Sequence, residues 1–189
     1  MADLPARVRL VIFDLDGVIY RGTDPIPGAR ELVAWLHATG TAVRFATNNS
    51  MVTRAGYVER LAAMGIPTAV DEIVTSTSAT VEHLHRHAPE IRSILGIGAD
   101  GMRDELSAGG FEVTMAGAAP GPQVADGPLG RGFDAVVVGL DPSVDYGRLA
   151  VAMRAVADGA RLIATNADAR YPTATGFLPG AGSIVAALA

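Results

Sequence analysis

The chain opens on a short apolar run, Val8-Arg9-Leu10-Val11-Ile12-Phe13, that ends in a polar loop. Such a run predicts a strand buried on both faces rather than an amphipathic one. Pro27, then Ala29, Leu32, Val33 and Leu36 at helical spacing, then Gly40, predict a helix with a proline start and a glycine stop. Residues 42–46 read as a second strand leading into Thr47-Asn48-Asn49-Ser50. Residues 54–64, with Tyr57, Val58 and Leu61 in helical register before Gly65, read as another helix, and residues 72–74 as a third strand. This alternation predicts a parallel, doubly wound sheet with right-handed crossovers, whose ligands sit at the carboxyl ends of its strands. The polar loops at residues 14–17 and 47–50 both fall at that edge.

Past Thr75 the pattern restarts. Helices are expected near 79–87, 102–108 and 146–157, strands at 91–95, 111–115, 135–138 and 162–164, and a last helix from Ser183. This is a second α/β unit. The Gly-, Pro- and Ala-rich stretch 116–132 reads as a long surface loop within it.

Composition narrows the possibilities. At 189 residues and 49% hydrophobic, the chain suits one well-buried domain or two small ones and is too apolar for disorder. Its 20 acids and 15 bases give a formal charge of −5 with no basic run, so nucleic acid is not expected as a partner. Cysteine is absent, which leaves cation chemistry to carboxylates, carbonyls and imidazoles. Asp3 and Pro5 stand where a signal peptide would carry its charged and apolar regions, and no apolar run approaches the roughly 20 residues of a membrane span. A cytoplasmic location, with no membrane partner, is the expectation. Every basic residue is Arg; the chain contains no Lys.

Asp14-Leu15-Asp16-Gly17-Val18 directly follows the first strand, so its two carboxylates leave the sheet edge close together. Neighbouring acids repel unless a cation or a shared proton stabilises them. Mg²⁺, which takes oxygen ligands and commonly uses one or two carboxylates with phosphate and water, would meet that need. A carboxylate can also attack phosphorus and form an aspartyl-phosphate. The same residues suit an ordinary strand-end turn, and spacing alone leaves both open. Thr47-Asn48-Asn49-Ser50 offers hydroxyl, amide and backbone donors of the kind a phosphate oxygen needs, and equally suits a turn with a helix cap.

Taken in order, Asp-x-Asp-Gly-Val, Thr-Asn-Asn-Ser, Ala164-Thr165-Asn166-Ala167-Asp168, Tyr171-Pro172 and Pro179-Gly180-Ala181-Gly182-Ser183 resemble the haloacid dehalogenase superfamily. They are most similar to its class IIA (NagD-like) branch, which includes p-nitrophenylphosphate and phosphoglycolate phosphatases. The resemblance implies an α/β fold, a Rossmann-like parallel core with an inserted α/β cap. Residues 1–78 would be the N-terminal part of that core and residues 79–189 the cap. It implies Mg²⁺-dependent hydrolysis of a small phosphorylated metabolite. Asp14 would be the nucleophile, Asp16 the acid and base, both would hold the metal, and Thr47 and Asn48 would bind phosphate. The cap loop at residues 166–172 would reach the substrate through Asn166, Asp168 and Tyr171. The family's third motif, a Lys, and its fourth, an acidic pair, are not evident before Ala189, within what resembles the last cap helix. The resemblance thus implies a chain cut short of the core's C-terminal part, with impaired turnover, and leaves open a homo-oligomer through the cap or an exposed core edge.

Other patterns compete. Val136 to Leu140, Asp141 and then Asp145 mimic the fourth motif, although Asp145 precedes Leu149, Val151, Met153 and Val156 as a helix N-cap should. Gly96, Gly98 and Gly101 satisfy the Gly-x-Gly-x-x-Gly fingerprint, which keeps a dinucleotide-binding protein open as an alternative, but no acid ends the next strand near Met115. A non-catalytic binding remnant is a third possibility. His83 and His87 share a helix face, opposite Val81, Leu84 and Ala88, which reads as a solvated face rather than a metal site.

Overall fold

The structure, a computed structural model, describes residues 8–117, 132–173 and 176–189. Most of the expected loop at 116–132 therefore lies outside the described residues. Two compact units form. The first holds the described residues up to Thr47 together with Arg54–Thr75; the second holds Asn48–Thr53 and the described residues from Ser76 to Ala189.

In chain order the first unit comprises β1 (Leu10–Asp14), a ribbon of β2 (Tyr20–Arg21) and β3 (Asp24–Pro25), α1 (Ala29–Ala38), β4 (Ala42–Thr47), α2 (Arg54–Ala63) and β5 (Ile73–Thr75). Its three main strands pair in parallel in the order β1-β4-β5. Because the strand order runs in one direction, right-handed crossovers place α1 and α2 on the same face. That face is buried: Val43, Phe45 and Ile73 are at most 1% exposed, against Val33, Leu36, Tyr57 and Leu61 on the helices. The opposite face stays open, with Leu10 47%, Ile12 62% and Val74 40% exposed. The expectation of a first strand buried on both faces is thus corrected. Its apolar run is continuous, but among the described residues helices pack on only one side of it.

The second unit comprises α3 (Ser76–His87), β6 (Ser93–Ile97), α4 (Asp100–Ala108), β7 (Glu112–Met115), β8 (Ala135–Val138), α5 (Tyr146–Ala157), β9 (Arg161–Ala164), β10 (Arg170–Thr173), β11 (Gly176–Pro179) and α6 (Ala181–Leu188). Its four-stranded parallel sheet has the order β7-β6-β8-β9. Here the direction reverses at β6, so successive crossovers cover both faces. Leu95, Ile97, Val136 and Val138 pack with Ala152 and Ala155 of α5 and Ile184 and Leu188 of α6. Ile94, Ala135 and Val137 pack with Leu84 of α3 and Met102 and Leu106 of α4. β8 is buried along its whole length, as its unbroken apolar sequence requires.

Several ends differ from the sequence-based expectation. α3 starts at Ser76 rather than 79, because Thr77 and Thr80 turn inward and the Thr80 hydroxyl donates to the Ser76 carbonyl at 2.8 Å. The stretch expected as a loop over 166–172 instead passes into an antiparallel hairpin, β10 with β11. Among the described residues no helix is long and apolar enough to cross a membrane.

Candidate active site

β1 ends at Asp14, and the chain then turns sharply. The Leu15 carbonyl accepts from the amides of Val18, Ile19 and Tyr20, at 3.3, 2.9 and 3.3 Å. Gly17, at φ +84°, takes a left-handed conformation that a side chain would resist, and its amide donates to the Tyr20 carbonyl at 2.8 Å. Leu15, Ile19 and Tyr20 are at most 1% exposed and anchor the loop from below. Asp14 and Asp16, alternating with Leu15, stay exposed. Asp14 Oδ1 accepts only a local bond, from the Leu15 amide at 2.9 Å, among those the structure gives it. Thr47 closes the adjacent strand, one position beyond Ala46, the residue opposite Asp14, and is 7% exposed.

Partial burial raises the Asp16 carboxyl above the usual carboxylate range. The Arg60 guanidinium opposes that shift, the Asp14 charge adds to it, and the Tyr20 phenol opposes it. Arg60 is held for this role: it stacks 4.2 Å over the Tyr20 ring and donates to the Gly22 carbonyl at 2.6 Å. Tyr20 and Tyr57 are fully buried, and burial raises both phenols, so they remain un-ionised beside the acids. Tyr20, Tyr57 and Arg60 were not marked by the sequence. The available signal was helical spacing: Tyr57 and Arg60 lie one turn apart on α2, which runs away from Thr47.

Asn48, Asn166 and Asp168 come together within the second unit. The Asn48 side-chain amide donates to the Asp168 carboxylate; Asn166 Nδ2 donates to the Asn48 carbonyl at 2.9 Å; and the Asp168 amide donates to Asn166 Oδ1 at 3.1 Å. The Asp168 carbonyl in turn accepts from the Gly182 amide at 2.9 Å, which ties the turn to the first residues of α6. Tyr171 lies in β10 opposite Leu178 and is half-buried.

The competing patterns resolve into structural roles. Asp141, 5% exposed, accepts from Arg148 Nη1 at 2.6 Å and from the Ser143 amide and hydroxyl at 2.9 and 2.7 Å. Asp145 caps α5, accepting from the Arg148 amide at 2.8 Å. In the glycine fingerprint, a Cβ at Gly96 would stand 2.7 Å from the Met115 sulfur and one at Gly98 2.6 Å from the Met102 methyl. A Cβ at Gly101 would strike the Met51 carbonyl. The glycines make room for the protein itself. The histidines lie exposed, His85 Nε2 donating to the Gly109 carbonyl at 3.0 Å.

Among the described residues no group of three or more His, Asp or Glu side chains could hold a metal ion. The Asp14–Asp16 pair nevertheless fits Mg²⁺, which retains water and uses one or two carboxylates with a substrate phosphate. Two neighbouring acids, one of them raised by burial and by the other's charge, are the donor set that a hard cation stabilises.

The chain belongs to the haloacid dehalogenase-like hydrolases, whose model matches residues 11–112. Relatives and solved structures agree. The chain is 34% identical over 178 residues to an acid sugar phosphatase of Staphylococcus aureus (strain MRSA252), covering 94% of this chain and 63% of that protein. It is 34% identical over 177 residues to the 5'-nucleotidase YutF of Bacillus subtilis (strain 168), covering 94% and 63%. The p-nitrophenyl phosphatase from Archaeoglobus fulgidus superposes with a TM-score of 0.81 at 32% identity, over 95% of this chain and 63% of that one. The chain thus spans somewhat under two thirds of the length of these relatives.

Proposed function

We propose that the protein hydrolyses a small phosphomonoester through an aspartyl-phosphate on Asp14, with Mg²⁺ as cofactor. One observation carries this reading: Asp14 and Asp16 leave the carboxyl end of β1 beside the strand that ends in Thr47. Asp14 attacks phosphorus as the leaving-group oxygen departs, and Asp16 gives that oxygen its proton. Asp16 then takes a proton from the water that attacks the phosphorylated Asp14, which releases phosphate and restores the Asp14 carboxylate and the protonated Asp16. Without metal, partial burial raises the Asp16 carboxyl above the ordinary carboxylate range. The Thr47 hydroxyl and Asn48 amide would hold the phosphate oxygens. Mg²⁺, held by Asp14 and Asp16, would offset the charge of carboxylates and phosphate.

In this reading residues 1–78 are core and residues 79–189 the cap, which presents Asn166, Asp168 and Tyr171 to the rest of the substrate. The relatives' names span sugar phosphates, nucleotides and an aryl phosphate, which supports a phosphomonoester without selecting one. A cytoplasmic protein would meet all three. The test is p-nitrophenyl phosphate hydrolysis with Mg²⁺ and with EDTA, followed by a panel of sugar phosphates and nucleoside monophosphates. Turnover indifferent to EDTA would sink the metal assignment, and none on any phosphomonoester would sink the whole reading.

A further inference from the structure

Thr47 and Asn48 are consecutive, yet they belong to different compact units. Thr47 ends β4, whereas the Asn48–Thr53 segment is seated on the carboxyl edge of the second unit's sheet. Ser50, 1% exposed, accepts a hydrogen bond from the Leu140 amide at 3.0 Å, just past the end of β8. Gly139 makes that approach possible, since a Cβ there would stand 2.5 Å from Ser50 Oγ. Gly101, in the first turn of α4 past β6, leaves room for the Met51 carbonyl and, at 3.0 Å, Val52 Cα. Asn49 Oδ1 accepts from the Met51 amide at 2.8 Å and holds the segment's own turn. β6 and β8 are the neighbours at which this sheet's strand order reverses, the place where open α/β sheets take ligands. Here the chain's own segment lies against the ends of β6 and β8, beside an open cavity of about 510 Å³ lined by Gly98, Met115, Asp141 and Arg148.

We propose that Ser50 is a positioning residue: it seats the Asn48–Thr53 segment on the second unit's sheet and so fixes the Asn48 amide for phosphate. This rests on the phosphatase reading above. Asn48 is clamped from the other side by Asn166 and Asp168, so its hydrogen-bond partners all lie in the second unit. Losing the Ser50 hydroxyl leaves the Leu140 amide without its acceptor in a partly buried place and loosens one side of that clamp. Phosphate binding then weakens, while the reacting carboxylates Asp14 and Asp16, carried by the other unit, are untouched.

The experiment compares Ser50→Ala, Gly139→Ala and the double variant with the parent. It reads p-nitrophenyl phosphate kinetics with Mg²⁺, calorimetric binding of inorganic phosphate, and amide hydrogen exchange. Each single variant is expected to raise KM and the phosphate Kd about 5–10-fold with kcat within about twofold, the size of one lost hydrogen bond in ground-state binding. The double variant should be no worse than the worse single one, because a Cβ at 139 enters the space that Ser50 Oγ vacates. Of the other two near atoms, the Met102 sulfur at 2.8 Å sits on a side chain that can give way, and Ser50 Cβ at 3.2 Å, which Ser50→Ala keeps, has to yield by only a few tenths of an ångström. Exchange should rise over residues 48–53 and not in β1 or β4. Unchanged KM and phosphate Kd, strictly additive penalties, or a kcat loss that merely tracks the folded fraction would overturn the role of Ser50. A parent without turnover overturns the phosphatase reading instead, and phosphate binding then decides Ser50: equal Kd for parent and Ser50→Ala, or no binding by either, sinks it.

Discussion

Two aspartates follow parallel strands in this chain, Asp14 at the end of β1 and Asp141 just past β8, and their surroundings could hardly differ more. Asp141 is buried, and its carboxylate is taken up by Arg148 and Ser143. Asp14 is exposed and stands two residues from a second acid that burial has raised. An acid whose oxygens are already satisfied holds a loop together. One left open beside another acid is available to a cation or to phosphorus. The same contrast separates the two sheet edges. In the second unit Asn48–Thr53 packs against the ends of β6 and β8 and the carboxylate that lines the adjoining cavity, Asp141, is already bonded, whereas the edge at β1 and β4 carries the open carboxylates.

The largest expected break is at Asp14. Asp14→Asn keeps the shape and removes the attacking charge, so p-nitrophenyl phosphate turnover should fall on the order of a thousandfold or more with the melting curve preserved. Activity within about tenfold of the parent, roughly 1.4 kcal/mol in the barrier, would end the covalent mechanism.

Asp16→Asn comes next, and its signature is leaving-group dependence. Loss of a general acid should cost about 10²–10⁴-fold on an alkyl phosphate and less on p-nitrophenyl phosphate, whose departing phenolate needs less protonation. The pKa shift adds a sign. Because folding raises the Asp16 carboxyl, the stability it contributes is fully present below the ordinary carboxylate pKa and is lost as pH rises through the raised value. Without metal, Asp16→Asn should therefore melt above the parent at pH 7, with the gap closing in acid. A variant that melts lower at pH 7 would contradict the burial penalty.

Asp141→Asn should invert the pattern. kcat and the Mg²⁺ requirement should stay at the parent's values, while stability drops by about 1–3 kcal/mol as Arg148 loses its charged partner, less than for a fully buried pair because its side chain is 22% exposed. A sharply raised Mg²⁺ requirement would mean that Asp141 is a metal ligand after all.

Strand ends and their loops were legible in the sequence because they are local. Val136-Val137-Val138 reads as a buried strand and is one, and Asp14 and Thr47 stand where the apolar runs stop. The direction of winding was not legible. Whether β5 or β7 lies to one side of its neighbour or the other is a long-range choice, and among the described residues it sets which sheet faces the helices cover. The glycine fingerprint misled for a related reason: Gly101 serves the Met51 carbonyl, a contact that no spacing rule can see. The β10–β11 hairpin was missed because Phe177 and Leu178 are exposed and the segment lacks the buried alternation that marks a strand.

The smallest expected effect also tests the second sheet, at its amino edge. Asp134 is exposed, yet its Oδ2 accepts from the amides of Arg92 and Ser93 at 2.7 and 2.9 Å and from the Ser93 hydroxyl at 3.1 Å. Those backbone bonds, from Ser93 and then Arg92, hold its carboxyl below the usual range. The sign is therefore opposite to that of Asp16: the stabilisation is present above the unfolded-state pKa and is lost as pH falls through the lower, folded value. Asp134→Asn keeps one acceptor oxygen and loses the charge, so it should melt slightly below the parent at pH 7. The difference should shrink through the acid range, with kcat and KM unchanged at neutral pH. Solvent screens an exposed carboxylate, which keeps the effect small. A gap that widened in acid would show that these bonds do not favour the ionised form, and the start of β6 would then be held by the Ser93 hydroxyl's bond to the Gly132 carbonyl, at 2.9 Å, instead.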